Sequence, residues 1–145
     1  MAATPHAHPD AAQLRLVPAR RDIDALHEAM GAAMGRHGYT EASRFAVRLA
    51  VEEALANAFH HGHRGLPPQT PVDLSYAVGP GLIEVTIKDR GPGFDPGAVP
   101  DPTLETNLEL PSGRGLLLMR AYMTTVEFSE RGTVVRMTYR RPAKG

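Results

Sequence analysis

The stretch VDLSYAVGPGLIEVTIKDRGPG, residues 72–93, decides the fold. Val72, Leu74, Tyr76 and Val78 are apolar at every second position, and Ile83, Val85 and Ile87 repeat the pattern after Gly79-Pro80-Gly81. A period of two puts alternate side chains on one face of a strand, and Gly-Pro-Gly between two such runs reads as a hairpin turn. The period is different upstream. Ile23, Leu26, Met30, Ala33 and Met34 recur at helical spacing and predict a helix over about 22–37, ended by Gly38. Thr40 is a good N-cap for a second helix, expected over 41–61, with Gly62, Gly65 and Pro67-Pro68 as its stop. Leu14 and Leu16 suggest a short first strand.

Downstream of Asp89 all periodicity is lost until Gly115, and Gly, Pro and Asp dominate. A loop of that length within a compact domain is usually a lid or a binding loop. A third helix is expected from about Gly115, carrying Leu117, Leu118 and Tyr122. Strands at about 125–129 and 133–140, joined at Arg131-Gly132, close the chain. Helices first and then a mostly antiparallel sheet make an α+β layer fold. The chain of 145 residues has room for one domain, expected over 14–141 behind a mobile tail of residues 1–13.

Composition narrows the chemistry. There is no cysteine, so disulfides, thiolate metal sites and cysteine nucleophiles are excluded. Lys and Arg number 16 against 16 Asp and Glu, which argues against a basic nucleic-acid binder or a polybasic membrane anchor. No apolar run approaches the roughly 18 residues of a membrane span. The expected location is the cytoplasm, with no direct nucleic-acid or membrane partner.

Three constellations stand out. Glu53 and Asn57 are four apart and share a helix face, with Ala46 and Ala50 on the same side leaving room for a ligand. Glu52 is turned about 100° away, where Arg48 can pair with it at the surface. Asp89-Arg90-Gly91-Pro92-Gly93 follows a strand directly, and its glycines allow close backbone approach to a ligand. Ser112-Gly113-Arg114-Gly115 opens a helix, whose free N–H groups suit a phosphate, with Arg114 adding donors. Taken singly, each also fits a structural role: exposed helix positions, an Asp-Gly turn, a glycine hinge. No P-loop or protein-kinase signature is present. His60, His61 and His63 close the second helix, where the helix dipole favours them, and no nearby carboxylates complete a zinc site.

Together and in this order, the motifs resemble the GHKL or Bergerat-fold ATPases, the superfamily of DNA gyrase, histidine kinases and related chaperones. Val51-Glu52-Glu53-Ala54-Leu55-Ala56-Asn57-Ala58 and the small size look most like the bacterial anti-sigma-factor serine/threonine kinases. The resemblance covers about residues 14–141. It implies a helix layer on one face of a mixed sheet, a two-layer sandwich, and ATP or ADP with Mg²⁺ as ligands. It assigns Asn57 to Mg²⁺, Glu53 to the base, and Asp89 to the adenine amino group. Gly91, Gly93, Gly113 and Gly115 would bend around the nucleotide, Arg114 would contact it, Thr133 would support the adenine, and residues 94–112 would be the ATP lid. An arginine on the first helix serves partner and phosphates in such kinases; Arg20 and Arg21 both stand at its start here.

The implied function is an anti-sigma-factor-type kinase that binds a sigma factor and phosphorylates a small antagonist protein, with a homodimer left open. The alternative from another class is a nucleotide-dependent module that sequesters its partner without kinase activity. A detached sensor-kinase catalytic domain lacks room for a dimerising helical pair, and a non-nucleotide binder would make all three glycine motifs structural. A glutamate at 53 favours the enzyme, since sequestration needs no base.

Overall fold

The computed structural model describes residues 10–93 and 111–143. The elements run β1 (Ala11–Leu16), α1 (Arg20–Arg36), α2 (Glu41–Asn57), a π-helical turn (Ala58–Gly62), β2 (Val72–Val78), β3 (Leu82–Lys88), α3 (Pro111–Tyr122), β4 (Thr125–Ser129) and β5 (Val134–Arg140). The sheet order is β1-β2-β3-β5-β4. All four pairings are antiparallel, so the parallel pair that a mixed sheet allows is not found among the described residues.

Alternation does what the sequence demands. Val72, Leu74, Tyr76, Val78, Ile83, Val85, Ile87, Val135, Met137 and Tyr139 are buried, while their odd-one-out neighbours turn to the other face. There Glu84 meets Arg136 at 2.8 Å across the β3–β5 pair. On the inner face lie Leu26, Met30, Ala33 and Met34 of α1 and Val47, Ala50, Val51, Ala54 and Leu55 of α2. Burying each of the larger aliphatic side chains contributes about 1.5–3 kcal/mol. The two layers are also pinned by polar contacts. The Ser43 and Tyr139 hydroxyls lie 2.7 Å apart in the interior, joining α2 to β5. Tyr39 donates to the Gly79 carbonyl at 2.7 Å, joining the α1–α2 corner to the hairpin turn.

Several boundaries differ from expectation. Residues 11–13, placed in the tail by composition, extend β1, because Ala11, Ala12 and Gln13 pair with Ala77, Tyr76 and Ser75. Residues 1–9 lie outside the described set. The second helix does not run to His61 as an α-helix. The N-cap at Thr40, which accepts from the Ser43 N–H at 3.1 Å, is as expected. After Asn57, however, the helix widens, and His63 N–H donates to the Ala58 carbonyl five residues back at 3.0 Å. The third helix begins at Pro111, four residues before the expected start. Proline suits a first helical position because its missing N–H is not needed there.

Candidate nucleotide site

The site grows from the end of α2. Glu53 and Asn57 sit one turn apart on it, both half-buried. The third helix comes in against them at Gly115. A Cβ on Gly115 would lie 3.1 Å and 3.2 Å from the Asn57 amide nitrogen and oxygen, and 3.3 Å from Glu53 Oε2. Any side chain here would push the Asn57 amide and the Glu53 carboxylate back by a few tenths of an ångström, so glycine lets the two helices meet with both polar groups in place. Gly113, Arg114 and Gly115 belong to the opening turns of α3 rather than preceding it, and Arg114 is exposed. With Pro111 first, the N–H groups of residues 112 and 113 have no partner within the helix, the arrangement that suits an anion.

The second half of the site is the end of β3. Asp89 is buried, at 8% exposure, and its main-chain N–H donates to the Thr133 carbonyl at 2.9 Å. Its Oδ1 accepts from the Gly91 N–H at 2.8 Å. Burial pushes the Asp89 carboxyl above the usual carboxylate range, and the Gly91 N–H and the nearby His63 work against that shift. Gly93 has φ +75°, and a Cβ on it would crowd the Arg131 carbonyl at 2.7 Å and Thr133 Cγ2 at 3.2 Å. So Asp89, Gly91, Gly93 and Thr133 are brought together. The Thr133 hydroxyl itself donates to the Glu130 carbonyl at 2.8 Å, so Thr133 meets Asp89 through its main chain.

Two expectations are corrected. Arg48 is not the partner of Glu52. Glu52 Oε1 takes Arg20 Nη2 at 2.6 Å and His27 Nε2 at 3.0 Å, so it bridges α1 and α2. Its carboxyl is held below the usual range, chiefly by the Arg20 guanidinium. Ala50 leaves no room for a ligand, being fully buried in the core, and Ala46, half-buried, packs against that core. Their small side chains serve packing.

Residues that sequence reasoning missed lie in the π-helical turn and just after it. Gly62 gives way to the Asp89 carboxylate, and Gly91 in turn gives way to the Gly62 carbonyl; a Cβ on either would collide. His63 is buried, packs edge-on against Phe59, and its Nε2 accepts from the Arg90 N–H at 2.9 Å. Among the described residues no group of three or more His, Cys, Asp or Glu is arranged to hold a metal ion. The signal that could have found Gly62 is its coincidence with a helix stop; nothing local pointed to its contact 27 positions away. The expected lid, 94–112, falls outside the described residues except for Pro111 and Ser112, which begin α3.

The pattern of a family described as histidine kinase-like ATPase domain matches residues 16–139. The chain is 32% identical over 97 residues to an anti-sigma F factor of Bacillus cytotoxicus, covering 63% of this chain and 66% of that protein. It is 34% identical over 83 residues to one of Halalkalibacterium halodurans, covering 56% of each, and 31% identical over 97 residues to one of Bacillus thuringiensis, covering 63% and 66%. In each case the match spans less than two thirds of the relative's length.

Proposed function

Because the chain belongs to the histidine kinase-like ATPase family, we propose that it is an ATP-dependent serine/threonine kinase of the anti-sigma-factor type. In this reading it binds a sigma factor and phosphorylates a small antagonist protein. Similarity to the anti-sigma F factors supports the choice of partner class. Residues 14–141 act as one nucleotide-binding unit, with the loop at 94–112 as its lid. The cytoplasm is the proposed location; among the described residues no helix is long and apolar enough to cross a membrane.

The observation that carries the kinase reading is the meeting of Glu53, Asn57 and Gly115. A binding site alone has no use for a carboxylate at that place. The Asn57 amide oxygen suits Mg²⁺, a hard cation that takes oxygen ligands and shares them with phosphates. Bound there, Mg²⁺ would neutralise phosphate charge. The N–H groups at the start of α3, the helix whose Gly115 lies against Asn57, would hold the phosphates together with Arg114. Asp89 would accept from the adenine amino group, and Gly91, Gly93 and Thr133 would shape the wall beside the base.

Transfer then needs little covalent work from the protein. The hydroxyl oxygen of the antagonist's serine or threonine attacks the terminal phosphorus. The bond from that phosphorus to the bridging oxygen breaks, ADP leaves, and the hydroxyl proton passes to Glu53. Glu53→Gln keeps size and polarity but cannot accept the proton. General-base loss typically costs about 10²–10⁴ in rate, while nucleotide affinity should change little because the base acts in the transition state. The test is transfer from labelled ATP with Mg²⁺ to candidate antagonist proteins, with ADP affinity measured in parallel. Transfer at the parent rate by Glu53→Gln removes Glu53 as base. A parent that binds ATP and a sigma factor but transfers phosphate to no candidate is a sequestering module instead.

A further inference from the structure

His63 is a buried polar group for which the proposed reaction has no use. It sits just past the π-helical turn and makes one strong contact, accepting from the Arg90 N–H at 2.9 Å. That N–H belongs to the peptide joining Asp89 to Arg90, so the imidazole fixes the plane in which the chain leaves β3. The other groups around this peptide are also committed. Gly91 N–H closes on Asp89 Oδ1, the Gly91 Cα lies against the Gly62 carbonyl, and the Arg90 guanidinium reaches out to Asp73 at 3.1 Å. The Asp89 carboxylate has therefore no freedom of its own: with Oδ1 engaged, the direction of Oδ2 follows from the peptide that His63 holds.

We propose that His63 is the positioning residue for base selection: through the Arg90 N–H it aims the Asp89 carboxylate so that the site accepts an adenine amino group and refuses a guanine carbonyl. The inference rests on the nucleotide reading above. A carboxylate opposite the base is an acceptor only; adenine offers it a donor, whereas guanine places an acceptor at the same corner. Discrimination of this kind depends on the carboxylate being unable to swing aside and meet another edge of the base. Without the His63 acceptor the Arg90 N–H loses its partner, the peptide loses the contact that sets its plane, and the carboxylate shifts with it.

The stereochemistry supplies the test. In glutamine the side-chain oxygen stands at the same reach from the backbone as Nε2 of histidine; in asparagine it stands at the reach of Nδ1, too short for the Arg90 N–H. Phenylalanine keeps the ring and its packing on Phe59 but has no acceptor. ADP and GDP affinities are measured by calorimetry for the parent, His63→Gln, His63→Asn and His63→Phe, and hydrogen exchange of the Arg90 amide is followed without nucleotide. The expected result is a parent-like ADP over GDP preference and a protected Arg90 amide in His63→Gln. His63→Phe and His63→Asn should lose roughly tenfold in ADP affinity, the scale of one unsatisfied hydrogen bond. Their preference for ADP should narrow and the Arg90 amide should exchange faster. A general loss of structure would weaken ADP and GDP together and leave the ratio alone; that outcome overturns the proposal, as does a parent-like ratio in His63→Phe. If His63→Phe does not fold, His63→Asn against His63→Gln decides in the same way. A parent that binds neither nucleotide overturns the functional reading itself.

Discussion

At the scale of single residues, Asp89 carries the clearest electrostatic consequence. Its carboxyl is pushed above the usual range by burial, so the folded protein holds a proton there more tightly than the unfolded chain does. By linkage, the contribution of Asp89 to stability is most favourable at acid pH and declines as pH rises through its elevated value. Nucleotide binding has the opposite sign, because an ionised carboxylate accepts the stronger hydrogen bond. ADP affinity should therefore climb with pH from the ordinary carboxylate range through the raised value and then level off. Asp89→Asn should show neither trend. Calorimetry over that range, with denaturation curves beside it, checks both; a flat affinity profile in the parent would remove Asp89 from the base. Gly91 makes a second claim at this scale. Its Cα abuts the Gly62 main chain, where no flexible side chain can yield. Gly91→Ala should cost about 3 kcal/mol by overpacking, read as a lowered denaturation midpoint.

At the scale of elements, α1 and α2 are joined by Arg20, Glu52 and His27. The His27 side chain is only 3% exposed, and burial pushes its imidazole below the usual range despite the adjacent carboxylate. Glu52→Ala leaves that ring nitrogen without its partner and should destabilise the fold by about 1–3 kcal/mol. The Arg20 arm is more than half exposed, so its coupling to Glu52 in a double-mutant cycle should stay below about 1 kcal/mol. Urea denaturation of the two single variants and the double variant measures both terms, and a Glu52→Ala protein as stable as the parent would show that the His27 contact contributes nothing. This contact also marks where sequence reading stops. Alternation in 72–88 and helical spacing in 23–34 report on burial along one element, and they located the hairpin, α1 and the sheet order's ingredients. Glu53, Asn57 and Asp89 could be singled out because their motifs are local. The partner of Glu52 could not: only Arg48 lies within reach on the same helix, whereas Arg20 and His27 are 32 and 25 positions away. The π-helical turn was equally hidden, since Gly62 stops an α-helix and a π-helix alike.

At the scale of the whole molecule, the candidate site draws on α2, the end of β3, the β4–β5 turn and α3, so a ligand there ties together segments far apart in the chain. A ligand that binds only the folded state adds about 2.7 kcal/mol at a hundredfold excess over Kd. Mg-ADP should raise the unfolding temperature, and Asn57→Ala should lose the part of that rise which a chelator abolishes in the parent. If a chelator reduces the rise equally in parent and variant, Asn57 does not hold the metal. The turn at 58–62 bears on the same assembly in another way. It spaces Gly62 and His63 from Asn57 by a helix wider than an α-helix. Winding the same residues as an ordinary α-helix would advance everything beyond by roughly one residue's rotation, about 100°, swinging the glycine and the imidazole off the end of β3. Between Asn57 and His63 the chain is thus tuned in phase more than in spelling: many letters can change there, but the winding cannot.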